Sequence, residues 1–157
     1  MSYEGGCSCG SVRYRMNREP LIVHACHCRD CQRVTGSAFV MNALIEKSNL
    51  ELLSGEPTPF DMKKYTGMEH TAYFCSNCGT YVWSEYYRRS KPLWFVRVGT
   101  LDDPDAFPPD VHIFTKRKQP WVLIPEGAPT FDELYDAREG VWSAESLKRL
   151  DALKRAG

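Results

Sequence analysis

The chain has 157 residues, 43% hydrophobic and 25% charged, an ordinary balance for one globular domain with a real core. Lys+Arg and Asp+Glu both number 20, so the overall charge points neither to nucleic acid nor to an acidic membrane surface. The start, Met1 to Gly5, is polar rather than leader-like, and the best apolar run, Ala38 to Ile45, falls far short of the ~20 residues a spanning helix needs. A cytoplasmic protein that does not enter a membrane is the expectation, with its thiols kept reduced.

Taken in order, Ser11 to Met16 alternates apolar and polar residues as a half-buried strand does, and Leu21 to Ala25 is a second β-rich run that leads to Cys26. Arg29 to Thr35 is polar and turn-forming, stopped by Gly36. Phe39 to Ile45 and Leu50 to Leu53 read as the next strands. Glu69 to Phe74 and Tyr81 to Tyr86 flank Cys75-Ser76-Asn77-Cys78-Gly79, which makes a hairpin with thiols at its tip. Leu93 to Val98 follows, then the shorter runs Val111 to Phe114 and Trp121 to Ile124. Trp83, Trp94, Phe95 and Trp121 are expected in the core.

Only the tail reads as helix. Ser143 is a fair N-cap, Leu147, Leu150 and Leu153 recur at helical spacing, and Lys154 and Arg155 suit the C-terminal dipole. A short helical turn is also expected within Phe131 to Ala137. There is no internal repeat and no low-complexity segment. The expected architecture is a mainly β domain over residues 1–131 with a helical appendage over 132–157.

Seven cysteines are the chemical signal, and an odd count does not complete a disulfide framework. Cys7-Ser8-Cys9-Gly10 and Cys75 to Gly79 are two half-sites that together make a closed four-thiolate zinc centre, with iron as a lesser alternative. Cys26, Cys28 and Cys31 remain. Spacing alone leaves two readings open: a closed site completed by His24, His27, His70 or His112, or an open site with a position for a substrate thiol. Three thiolates weaken an ion as a Lewis acid but keep an incoming fourth thiolate nucleophilic, so an open site suits thiol activation better than water activation.

The order Cys-x-Cys-Gly, Cys-His-Cys-x-x-Cys-Gln-Arg-x-Thr-Gly (Cys26 to Gly36), Cys-x-x-Cys-Gly resembles the glutathione-dependent formaldehyde-activating enzyme family, which also includes a centromere protein. The likeness runs over about residues 3 to 131, through His112-Ile113-Phe114 and Lys118-Gln119-Pro120-Trp121. It implies a β-tent fold of antiparallel sheets joined at a structural zinc on Cys7, Cys9, Cys75 and Cys78. It also implies a second, catalytic zinc on Cys26, Cys28 and Cys31, two zinc ions in all. The implied activity is a carbon–sulfur lyase that joins a thiol such as glutathione to formaldehyde or a related aldehyde.

Both substrates are then small molecules, and the chain a monomer or homodimer. His27, Tyr65 and Lys118 are candidate proton donors. Arg29 and Arg33 could meet substrate carboxylates, although surface arginines on a polar turn are the plainer reading. The chain departs from the family pattern at Arg117, where serine is expected, and Lys116-Arg117-Lys118 reads as a solvated basic loop. A zinc-scaffolded binding module without chemistry and a thiol-based metal or redox sensor are the competing functions.

Overall fold

The computed structural model describes residues 1–63, 69–86 and 92–156. Its strands are β1 (Tyr3–Gly6), β2 (Arg13–Met16), β3 (Ile22–Cys26), β4 (Val40–Glu46), β5 (Leu50–Ser54), β6 (Thr58–Lys63), β7 (Glu69–Phe74), β8 (Tyr81–Glu85), β9 (Leu93–Arg97), β10 (Val111–Ile113) and β11 (Thr130–Phe131). Two α-helices accompany them, α1 (Arg29–Thr35) and α2 (Ala144–Ala156). The fold is mainly β, with a short C-terminal helix. The chain forms two compact units, Met1–Pro20 with Ala43–Phe107, and Leu21–Asn42 with Pro108–Gly157.

The first unit holds an antiparallel sheet of order β1-β2-β5 and a second run of strands, β9-β8-β7-β6. Period-two alternation places Tyr14 and Met16 inward, both fully buried, while Arg13 and Arg15 face out toward Asp102 and Glu4. Tyr14 meets Trp83 edge-on at 5.5 Å and hydrogen-bonds the Thr100 hydroxyl at 2.7 Å. Gly5 sits against that pair: a Cβ there would lie 2.7 Å from the Tyr14 oxygen and 2.5 Å from the Thr100 carbonyl. The β7–β8 connection is the expected thiol-tipped hairpin. Gly79 takes φ +74° there and its amide donates to the Cys75 carbonyl at 2.8 Å.

In the second unit β10 lies parallel to β3, pairing Ile113 with Cys26, and β11 adds in parallel on the other side, pairing Ile113 with Phe131. All five residues of β3 are buried. That explains why the run carried no alternation in sequence: a strand covered on both faces reads as continuous. Helix α2 begins where expected, with the Ser143 hydroxyl accepting the Ser146 amide at 3.1 Å and Leu150 buried. Ser146 in turn donates to the Leu21 carbonyl at 2.6 Å, fastening the helix to the start of the unit.

Three expectations need correction. Arg29 to Thr35 is a helix rather than a turn, because Cys28 supplies an N-cap and Gly36, at φ +63°, supplies a left-handed C-cap. Trp121 to Ile124 forms no strand. Pro120 and Pro125 bracket it, the Val122 amide closes a turn onto the Gln119 carbonyl, and Trp121 is 70% exposed instead of in the core. Phe131 to Ala137 forms no helical turn, its first residue belonging instead to β11.

Candidate metal centres

The seven sulfurs separate into two groups, one in each unit. Cys7, Cys9, Cys75 and Cys78 bring their sulfurs within 4.8 Å of one another, and Cys26, Cys28 and Cys31 do the same. All seven are free thiols. The sulfurs of Cys7 and Cys9 are 3.5 Å apart, and those of Cys9 and Cys75 are 3.8 Å apart. Zinc–sulfur bonds of about 2.3 Å at tetrahedral angles put sulfurs about 3.8 Å apart, so both gaps suit one shared ion.

Local backbone builds the four-thiol group. The turn after β1 presents Cys7 and Cys9, and the β7–β8 turn presents Cys75 and Cys78 from 66 residues later. Donors then surround the sulfurs. Cys7 accepts the Val12 amide at 3.2 Å, Cys9 accepts the Asn77 side-chain amide at 3.2 Å, and Cys78 bonds the Thr80 hydroxyl at 3.2 Å. The Ser11 hydroxyl and amide, followed by Asn77, pull the Cys9 thiol down to about 5. Thr80 lowers the Cys78 thiol in the same way. These contacts favour thiolates, the form that binds metal. Spacing signalled the cysteines, but it did not show that Ser11, Asn77 and Thr80 would serve them.

The three-thiol group is made by the end of β3 and the start of α1. Cys26 is the last residue of β3, Cys28 caps α1, and Cys31 lies one turn in. All three are 5% exposed, and the Cys26 and Cys31 sulfurs are 3.5 Å apart. The Cys26 thiol is pushed well above its usual range, first by its hydrogen bonds with Cys28 and Cys31 and then by burial. A buried thiol that resists ionising, with two more sulfurs beside it, gains most from a divalent cation among them.

No fourth histidine, cysteine or carboxylate joins these three sulfurs among the described residues. The candidate histidines are engaged elsewhere. His24 bonds the Tyr135 hydroxyl at 2.8 Å, the His27 and His112 rings share a 3.0 Å hydrogen bond, and His70 stacks on Tyr86 in the first unit. Burial holds His27 at about 4 and also lowers His112, so both rings are neutral near pH 7. Tyr65 lies outside the described residues. The Lys118 ammonium donates to the carbonyls of Gln119 and Val122, at 3.2 and 2.7 Å.

The basic loop is not simply solvated: Glu133 pairs with both Lys116 and Arg117. Sequence reading also passed over Gln32, which is buried and ties α1 to this loop. Its amide nitrogen donates to the carbonyls of His27 at 2.7 Å and Arg117 at 3.0 Å. Glutamine directly after the third cysteine was the available signal.

With this geometry in hand, comparison with known proteins is decisive. The model of the family described as "Glutathione-dependent formaldehyde-activating enzyme" matches residues 2–117, well over half of the chain. The chain belongs to that family. A Halomonas elongata protein named "Putative glutathione-dependent formaldehyde-activating enzyme" is 27% identical over 129 residues, covering 79% of this chain and 82% of its own. A crystal structure of a Rhodobacter sphaeroides protein is 26% identical, covering 63% of this chain and 87% of that one at a TM-score of 0.46. The family match takes in all seven cysteines and ends at Arg117, short of residue 131; β11 and α2 lie beyond it.

Proposed function

We propose that the protein joins a small-molecule thiol, such as glutathione, to formaldehyde or a related aldehyde, in the carbon–sulfur lyase class. Cys7, Cys9, Cys75 and Cys78 would hold a structural zinc, and Cys26, Cys28 and Cys31 a catalytic one, two per chain. One observation carries the reading: the sulfurs divide four and three, and among the described residues nothing completes the three. Zinc held there would supply a cationic position at which an incoming thiol ionises near neutral pH and keeps a nucleophilic sulfur.

The overall reaction balances without a further reactant. A sulfur–carbon bond forms, the carbonyl π pair moves to oxygen, and the proton lost by the thiol ends on that oxygen to give the S-hydroxymethyl adduct. The chain's own part is to hold three sulfurs in a buried pocket and leave the fourth position for the substrate. His27 and His112, neutral and hydrogen-bonded to each other, add no charge that would compete with the thiolates. A cytoplasmic setting suits exposed thiols that must stay reduced. We further propose residues 1–131 as the zinc-binding domain and 132–157 as its helical C-terminal segment. Among the described residues no helix is long and apolar enough to cross a membrane.

Exchange NMR on an equilibrium mixture of glutathione, formaldehyde and adduct tests this directly. The zinc-loaded protein should speed exchange well above the spontaneous rate, and Cys28→Ser should abolish that gain. Exchange at the spontaneous rate with two zinc ions bound would reject the enzyme reading in favour of a binding module.

A further inference from the structure

Among the described residues Phe114 alone, glycines apart, takes a positive φ, at 57° with ψ 37°. An aromatic residue enters that left-handed region only at a steric cost, and such strain persists only where the surroundings hold it. Ile113, just before it, pairs with Cys26 and accepts the His27 amide at 3.0 Å. The reversal at Phe114 then turns the chain off β10 into the single turn Thr115–Arg117.

This turn is held by chain beyond the family match, which ends at Arg117. The Phe114 amide donates to the Glu133 carbonyl at 3.2 Å, and the Thr115 hydroxyl donates to the Phe131 carbonyl at 3.1 Å. The Glu133 carboxylate pairs with Lys116 and with Arg117, meeting the guanidinium at 2.8 Å. Backbone and side chain of one residue thus grip the strained turn together. The Arg117 amide closes it onto the Phe114 carbonyl at 3.0 Å.

The closed turn in its place holds Gln32. The Arg117 carbonyl accepts the Gln32 amide nitrogen at 3.0 Å, and the same nitrogen donates to the His27 carbonyl at 2.7 Å. The Gln32 oxygen accepts from Arg29 at 2.7 Å and from Gln119 at 3.0 Å, so both donors and both lone pairs of the group are used. His27 is the residue between Cys26 and Cys28. Its carbonyl is tied to Gln32, its amide to Ile113 and its ring to His112. A contiguous run of contacts therefore leads from Glu133, through the Phe114 turn and Gln32, to the loop that spaces two of the three sulfurs.

We propose that Glu133 is a positioning residue of the three-thiol centre: it holds the strained Phe114 turn, through which Gln32 fixes the Cys26–Cys28 loop at the spacing a shared ion needs. The proposal rests on that centre holding zinc, and its test separates the two. Zinc release to a chromogenic chelator reads the centre, with the four-thiol zinc as internal reference. Hydrogen exchange at the His27 amide, on protein freed of its more labile zinc by mild chelation, reads the loop alone.

Glu133→Gln keeps the backbone carbonyl and loses the charge. It should release the more labile zinc about tenfold faster, the scale of a lost outer contact, and leave the other zinc unchanged. Its His27 amide should also exchange faster, and Glu133→Asp should restore part of both effects. Glycine takes the left-handed turn without strain, so adding Phe114→Gly to Glu133→Gln should bring release back toward the wild-type rate. Ser146→Ala is the control: it removes the bond to the Leu21 carbonyl in the same unit without touching the turn, and should leave release and exchange at His27 unchanged. Equal acceleration in Ser146→Ala would overturn the proposal as mere loss of stability. Two zinc ions in wild type, with Glu133→Gln matching it in release and exchange, would overturn the positioning role and leave the centre standing. A single zinc in wild type, with His27 exchange still faster in Glu133→Gln, would reject the zinc reading and uphold the positioning.

Discussion

The Cys31 amide donates to the Cys28 sulfur at 3.3 Å, so the residue that caps α1 is also one of the three thiols of the candidate open centre. Helix start and ligand geometry are one feature. Whatever holds Cys28 in place also sets the pitch that brings Cys31 back within reach of Cys26.

That double role can be taken apart with serine, a good N-cap whose oxygen is a poor zinc ligand. In Cys28→Ser the helix should persist, the second zinc should be lost, and adduct formation should fall at least about a hundredfold. Cys75→Ser should behave differently, unfolding the first unit, because the four-thiol site links segments 66 residues apart and its binding energy is folding energy. Zinc analysis with circular dichroism on both variants is the measurement; equal loss of structure in the two would remove the distinction.

The donors around the four-thiol group should matter nearly as much as the thiols. Asn77→Ala removes the side-chain amide that bonds the Cys9 sulfur at 3.2 Å. Zinc affinity should drop by about ten- to a hundredfold, read by competition with a chromogenic chelator.

A hydrogen-bonded trio ties the C-terminal segment to the strand that delivers Cys26. The Tyr135 hydroxyl bonds His24 at 2.8 Å and accepts from the Trp142 indole at 2.6 Å. His24 and Trp142 are both buried, so Tyr135→Phe strands two polar atoms and should cost about 1–3 kcal/mol in denaturant unfolding. A cost within error would show that water serves both groups equally well.

His24 also predicts a pH dependence. Burial, with the Arg138 charge second, lowers it to about 4, against about 6.5 for an unfolded chain. Between those values the unfolded chain binds more protons than the folded one. The stability associated with neutral His24 is therefore complete above about pH 6.5 and gone below about pH 4. From pH 7 to pH 5 the wild type should lose about 2 kcal/mol more than His24→Asn, which has no proton to take up. Comparing the two slopes cancels acid release of metal, which both share; parallel slopes would contradict the assignment.

Legibility in sequence followed the range of the interaction. Strands with alternating or strongly β-rich residues, such as β2, β7 and β8, were readable within a residue or two, because period two needs no partner to be seen. The α2 cap and its leucines were equally local. Three-residue β10 was clear only as a short apolar run, while Thr130 and Phe131 carry too little pattern to announce a strand; both depend on pairing with chain far away. Trp121 misled because an aromatic between apolar neighbours looks like core, whereas two flanking prolines leave it outside.

By itself the sequence determined the inventory and the grouping of the thiols, since cysteines two or three residues apart converge by local geometry alone. It also determined the family, whose motifs are short and contiguous. Tertiary structure decided which partners the four histidines take. A fourth ligand could have come from any of four histidines, and only long-range packing shows His24 held by Tyr135, His112 held by His27, and His70 in the other unit. The same long-range packing set Gln32 among four partners and tied a polar stretch between cysteines to the Phe114 turn.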